Sequence, residues 1–349
     1  MTLSVDSASL IEVYQLGDTF ARRIPLARTP TPLHLLPRLS EETGTAIWIK
    51  RDDMTDTVAC GNKLRKLEFS VAQAISEDAT ALITNGGTQS NHCRATSVVA
   101  AKLGLQAHLV LRGEAPADSA DGNLMLDELL GATTTFIDLN TWRRIDEFTQ
   151  QLVAEYARKG ISAFVIPTGA SDEVGMWGYI HGFEELQQDL DAEHLAPDAI
   201  VHATGSGGTQ AGLILGAALM RSGARITGIN VSDNADYFSR KIRDDMSRWR
   251  ARYQTGPIQR IDTDSLPIEV LDGHVGPGYG HADPHVFDTI RKVARLESIV
   301  LDPVYTGKAF DGMLTELKSG RLEGAREVVF LHTGGIYGLF PYRAQISEH

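Results

Sequence analysis

The chain has 349 residues, 42% of them hydrophobic and 22% charged, with a formal net charge of −12. That length suits two lobes or one large α/β unit with a substantial core. The acidic balance argues against nucleic-acid and anionic-membrane partners.

Two cysteines, Cys60 and Cys93, make no disulfide framework and fit a reducing cytoplasm. The opening "MTLSVDSASL" lacks the basic and apolar regions of a secretory signal, and no run reaches the length of a membrane span. The 11 histidines are scattered without zinc-ligand spacing, so no metal site is expected.

Along the chain, short β-rich runs alternate with longer helical patterns. AIWIKR (46–51), ALITNG (81–86), QAHLVLR (106–112), TTTFID (133–138), AFVIPTG (163–169), AIVHATG (199–205), RITGINVS (225–232) and VVFLHTGG (328–335) predict strands. NKLRKLEFSVAQAI (62–75), SNHCRATSVVAAKLG (90–104) and GTQAGLILGAALMRSG (208–223) predict helices. The alternation implies right-handed βαβ crossovers and mainly parallel sheets covered on both faces. GASDEVGM (169–176) is the expected crossing point between lobes. In such sheets ligands bind beyond the carboxyl ends of the strands, where glycine-rich turns feed helix N-termini.

Four such turns carry candidate chemistry. In CGNKLRKLEF (60–69), Leu64, Leu67, Val71, Ala74 and Ile75 form one apolar stripe. Lys63 borders it, whereas Arg65 and Lys66 fall on the opposite face and are expected in water. A lysine at an apolar boundary can lose its charge and form a Schiff base. The alternative is a stem lying on apolar surface with a solvated head. In HATGSGGTQAG (202–212), Gly205, Ser206, Gly207, Gly208 and Thr209 read as an anion cradle at a helix start, or as a tight turn with no ligand. The loop fits neither the Walker A nor the G-x-G-x-x-G pattern. NGGTQSNHCR (85–94) offers Thr88, Ser90 and Asn91 either to a carboxylate or to simple capping. GPGYG (276–280), LDPVYTGKAFDG (301–312) and FLHTGG (330–335) set Tyr279, Tyr305, Thr306 and Thr333 beside glycine or proline at strand ends.

Taken in this order, GNKLRKLEF, QSNH.R, HATGSGGTQAG, GPGYG, DPVYTGK and HTGG resemble the D-cysteine desulfhydrase and 1-aminocyclopropane-1-carboxylate deaminase family. These are pyridoxal 5'-phosphate enzymes of the tryptophan-synthase-β type (fold type II), and the similarity runs from about residue 30 to 342. The resemblance implies two doubly wound α/β lobes, the smaller (66–172) inserted in the larger (1–65 and 173–349), with the cofactor between them. It implies that Lys63 is the Schiff-base lysine and Gly205–Thr209 the phosphate loop. Asn91 would contact the cofactor's phenolic oxygen, and Thr333 would lie near its pyridine nitrogen. Ser90, Asn91 and His92 match the substrate-carboxylate site, and Tyr279 and Tyr305 the two active-site tyrosines. For catalysis it singles out Lys63, Ser90, Tyr279 and Tyr305.

The implied reaction is α,β-elimination from a small amino acid, D-cysteine being the leading substrate. L-cysteate sulfo-lyase, aminocyclopropane carboxylate deaminase and a non-catalytic cofactor or nucleotide binder are the alternatives. Thr306 stands where deaminases carry a glutamate that keeps the pyridine nitrogen protonated, and Thr333 replaces a leucine; both favour the desulfhydrase branch. No lysine or arginine near the motifs presents itself as a sulfonate clamp. Cys60 replaces a glycine and His281–Ala282 replaces an apolar residue and proline; the two departures either set a thiol and an imidazole beside the site or are structural drift without a role there. A homodimer is implied by analogy alone.

Overall fold

A computed structural model describes residues 7–16 and 19–347. Residues 1–6, part of the opening stretch read for a leader, lie outside the described residues. All eight runs read as strands are strands, and the three helical patterns form the helices Asn62–Ser76, Asn91–Leu103 and Gly208–Leu219. An antiparallel hairpin (Glu12–Leu16 with Thr19–Arg23) and the three-residue strands Leu33–Leu35 and Glu269–Leu271 are further elements outside the runs read as strands.

The strands form two sheets besides the hairpin. The larger has the order Glu269–Leu271, Ile226–Asn230, Ala199–Thr204, Glu327–Leu331, Ala46–Lys50, Leu33–Leu35, parallel except at the last pair. The smaller is all parallel, in the order Thr133–Ile137, Gln106–Arg112, Ala81–Gly87, Ala163–Val165. Both are buried on two faces, as parallel sheets require. Along Glu327–Leu331, Val329 and Leu331 enter one apolar core while Val328 and Phe330 enter another. In the smaller sheet Leu82 packs to one side and Ala81 and Ile83 to the other. No helix among the described residues is long and apolar enough to cross a membrane.

The Asn62–Ser76 helix connects the two units. Leu64, Leu67, Val71 and Ala74 join the core beneath the smaller sheet, as the apolar stripe predicts, while Phe69 packs into a core of the larger one. The boundary drawn between residues 65 and 66 falls inside this helix. The helix therefore has no wet face, and the expectation that Arg65 and Lys66 point to water is wrong. Arg65 is 1% exposed and Lys66 fully buried. Their side of the helix packs on the Trp177–Ala192 helix so closely that a Cβ on Gly178 would lie 2.4 Å from the Arg65 carbonyl oxygen. Arg65 is matched by buried carboxylates instead: it donates to Asp52 at 2.8 Å and to Glu185 at 2.9 Å. A hydrophobic period locates the apolar face of a helix but cannot tell whether its polar face meets solvent or a second lobe.

Candidate active site

Residues from the turns at 61–63, 86–92, 205–209 and 333–334, together with Tyr279 and Tyr305, are brought to two adjoining cavities. Strand Ala199–Thr204 runs directly into the loop that starts the Gly208–Leu219 helix. Gly207 takes φ 83°, a left-handed conformation that favours glycine. Ser206 Oγ lies 2.8 Å from Ser171 Oγ, and the Lys66 amine stands 3.4 Å from that same serine oxygen. Gly205, Ser206, Gly207 and Thr209 line a narrow cleft together with Lys63, Asn91 and Thr333. Gly208 does not line it and packs on Ser171. A cradle of small residues at a helix N-terminus, with a buried amine behind its serine, fits a phosphate dianion.

Lys63 lies in the first turn of its helix and lines both this cleft and an adjoining cavity of about 430 Å³. Desolvation of its amine by the surrounding protein pushes its pKa down to about 8. Asn62 ties this helix start to the anion loop by donating to Thr209 Oγ1 at 3.0 Å. Gly61, with φ 111°, sits so near the strand end at 333 that a Cβ would lie 2.5 Å from the Thr333 carbonyl oxygen. Burial lowers Lys66 well below the usual lysine range, with Lys63 adding to the effect.

The same cavity is lined by Ser90, His92, Tyr279 and Tyr305. Ser90 caps the Asn91–Leu103 helix, its Oγ accepting from the Cys93 amide at 3.2 Å. The first amides of that helix have no intrahelical acceptor and suit a carboxylate. Thr84 gives its one hydroxyl proton to the Ile166 carbonyl at 2.7 Å, so the 2.8 Å contact to His92 makes Nε2 the donor. Burial, with Lys63 and Lys66 nearby, keeps that imidazole neutral by lowering its pKa well below the ordinary value. The His92 side chain is thus a structural prop, and its main chain is the part suited to an anion.

Tyr279 and Tyr305 share a hydrogen bond of 2.6 Å between their hydroxyls. Burial raises both phenols, Tyr305 well above the ordinary range. Arg112 pulls Tyr279 back, its guanidinium carbon standing 5.4 Å from that ring's centre and 5.0 Å from the Trp142 ring. Arg112 lines the cavity, and among the described residues no carboxylate pairs with it. No lysine or arginine near the motifs presents itself as a sulfonate clamp, and the arginine that reaches the cavity wall comes from outside them. The signal was available, since Arg112 ends the predicted strand QAHLVLR on its ligand-facing side.

Three further residues weighed in the sequence line neither cavity. Cys60 is 4% exposed, lines neither cavity, and has its thiol pushed up by burial. His281 is exposed and lines neither cavity. Thr306 donates to Asp302 Oδ1 at 2.7 Å and is buried away from the cleft, holding a turn rather than addressing a ligand.

Two wound parallel sheets, an anion cradle at a helix start and a desolvated lysine between them define a phosphate-bearing cofactor enzyme. Residues 24–334 match the pyridoxal-phosphate dependent enzyme family, and the chain belongs to it. Among its relatives, a Thermotoga maritima protein provisionally named as a 1-aminocyclopropane-1-carboxylate deaminase is 40% identical over 91% of this chain and 97% of its own. The D-cysteine desulfhydrase of Salmonella choleraesuis is 37% identical over 93% and 97% of the two chains. The solved structure of an ACC deaminase homologue superposes with a TM-score of 0.83 at 35% identity, covering 93% of this chain and 95% of that one. The protein is a pyridoxal-phosphate-dependent lyase.

Proposed function

We propose that the site catalyses α,β-elimination from a small β-substituted amino acid, with D-cysteine as the leading substrate. The observation that carries this reading is the desolvated Lys63 amine, set between the 205–209 loop and the Ser90, Tyr279 and Tyr305 hydroxyls. Pyridoxal phosphate, when bound, supplies the electron sink for the pair left on Cα after deprotonation.

The loop amides of 205–209 would hold the phosphate, and Lys66, buried behind Ser171 and Ser206, would take up a proton and supply counter-charge once the dianion is bound. Asn91 would contact the cofactor's phenolic oxygen and Thr333 would lie near its ring nitrogen, both residues lining the cleft. A hydroxyl at 333, unlike a carboxylate, would not hold that nitrogen protonated, which suits a substrate with a good leaving group. Ser90 and the main chain of Asn91 and His92 fix the substrate carboxylate. Lys63 takes the Cα proton from one face, or the hydrogen-bonded Tyr279–Tyr305 pair takes it from the other; substrate chirality decides which. The Cα–β pair then forms the double bond as the β-substituent leaves with its bonding electrons. The unsaturated amino acid so released tautomerises and hydrolyses to pyruvate and ammonia.

Arg112 favours a second reading, elimination of sulfite from L-cysteate. An unpaired guanidinium at the cavity wall stabilises a leaving group that carries a fixed negative charge. The resemblance supports a homodimer, and two buried free cysteines support a cytoplasmic setting.

Supplying purified holoenzyme with D-cysteine, L-cysteate and aminocyclopropane carboxylate, and assaying sulfide, sulfite and 2-oxobutanoate, tests the reading. Sulfide from D-cysteine upholds the leading substrate, and sulfite from L-cysteate upholds the second. Release of neither product from a fully loaded enzyme refutes both.

A further inference from the structure

Asn123 lies outside every motif singled out in the sequence, yet it is fully buried and touches Asn91. It stands at the start of the Gly122–Leu129 helix, where Gln89 and Asn123 are clasped together. The Asn123 amide donates to Gln89 Oε1 at 2.9 Å, and its side-chain Nδ2 donates to the Gln89 carbonyl at 3.0 Å. Gln89 in turn donates from Nε2 to the Asp121 carbonyl at 2.9 Å. Gly122 permits this contact, because with φ 59° a Cβ there would lie 2.6 Å from Gln89 Oε1.

The clasp fixes the orientation of two carboxamides without reference to any ligand. The Asn123 atom facing the Gln89 carbonyl must be a donor, so it is the NH2 group. The same NH2 lies 3.1 Å from the Asn91 side chain, and the atom it meets must therefore be the oxygen. The Asn91 amide nitrogen is left to face the cleft that Asn91 shares with Lys63. Gly338, from the segment Ile336–Tyr342, covers the pair: a Cβ there would be 3.4 Å from Asn123 Nδ2 and 4.0 Å from Asn91 Oδ1. Among the described residues, the Asn123 side-chain amide is the donor that meets Asn91 Oδ1.

We infer that Asn123 is a positioning residue that fixes the Asn91 carboxamide so that it presents N–H rather than oxygen to the ring oxygen of pyridoxal phosphate. This rests on Asn91 being the contact to that oxygen. A donor there stabilises the oxygen as an anion, whereas an acceptor would stabilise its protonated form. The difference is that between a charge-assisted hydrogen bond and a repulsive contact.

The test is the absorption spectrum of the loaded protein as a function of pH, together with its affinity for added pyridoxal phosphate. Asn123→Asp keeps the shape but offers only acceptors, so Asn91 must reverse. The balance between the visible-absorbing and near-ultraviolet-absorbing forms should move towards the latter by about tenfold or more. Asn123→Ala, which removes the donor without adding charge, should move it the same way by less, and it carries the test if the aspartate variant does not fold. In an Asn91→Ala background neither change at position 123 should move the balance further, because the effect passes through Asn91. Spectra unchanged in both single variants, or equal shifts with and without Asn91, would overturn the inference. Failure of the unaltered protein to bind pyridoxal phosphate would instead overturn the cofactor reading beneath it.

Discussion

Asn62 and Thr209, 147 positions apart, are joined by a hydrogen bond of 3.0 Å that fastens the start of the lysine-bearing helix to the anion loop. The bond sets the separation between the Lys63 amine and the phosphate cradle, and hence the span that a cofactor must bridge. Replacing Asn62 by alanine, or Thr209 by valine, removes about 1 kcal/mol of net hydrogen bonding and leaves a buried partner unsatisfied. Affinity for pyridoxal phosphate should fall about tenfold in a spectroscopic titration, with a smaller change in the Tm of the cofactor-free protein.

The lowered pKa of Lys63 makes cofactor capture pH-dependent. Below about pH 8 the amine is protonated and cannot attack an aldehyde; above it the free amine prevails. The rate at which cofactor-free protein takes up pyridoxal phosphate should therefore rise through about pH 8 and then level off. A surface lysine would go on gaining up to its ordinary value of 10.5. Stopped-flow absorbance across this range distinguishes the two.

Lys66 provides a test in which two readouts move oppositely. Its amine is buried with a long 3.4 Å contact to Ser171, and desolvation outweighs the attraction of Asp172 and Asp245, so in the absence of phosphate it costs the fold desolvation energy. Lys66→Met should leave the cofactor-free protein as stable or more stable, while weakening pyridoxal-phosphate binding by about tenfold to a hundredfold. Thermal melting with and without cofactor gives both quantities.

Arg65 is the converse case, a buried cation that is fully matched. Arg65→Met leaves Asp52 with only the Tyr179 and Thr31 hydroxyls and Glu185 with Lys50 and Thr31, so that one buried carboxylate loses its cation, a change of the kind that costs about 3–5 kcal/mol. Glu185, held down to about 2 by Arg65 and Lys50 from an ordinary 4.5, should contribute stability above the ordinary value and lose it as the pH falls towards 2. Acid denaturation followed by circular dichroism should begin at higher pH in the variant.

Arg112→Met addresses the choice of leaving group. The change should lower kcat/KM for L-cysteate by about thirtyfold or more, as expected for the loss of a charge-assisted contact. Its effect on D-cysteine should be several times smaller. Equal losses on both substrates would assign Arg112 to the tyrosine pair instead.

The sequence made the strands and the chemistry-bearing turns legible because both depend on local rules: β-rich runs, glycine before a helix, a lysine at an apolar border. Ser90, Asn91, Gly205–Thr209 and Thr333 could be singled out for the same reason. What was not legible depends on the packing of distant segments. The polar face of Asn62–Ser76 is buried because Asp52 and Glu185 come from elsewhere to meet it. Cys60 departs from the family at a position adjacent in sequence to Lys63, yet it is buried and lines neither cavity. Asn123 carries no motif, since its part depends on a contact across 32 positions.

The claim on which the rest depends is that Lys63, and not its buried neighbour Lys66, holds the cofactor. Borohydride reduction of the loaded protein, followed by proteolysis and mass spectrometry, reads this directly. Expected is a reduced pyridoxyl group on Lys63 alone, lost in Lys63→Ala together with the visible absorption band. A label on Lys66 or elsewhere, or a Lys63→Ala protein that keeps both the band and its turnover, would contradict it.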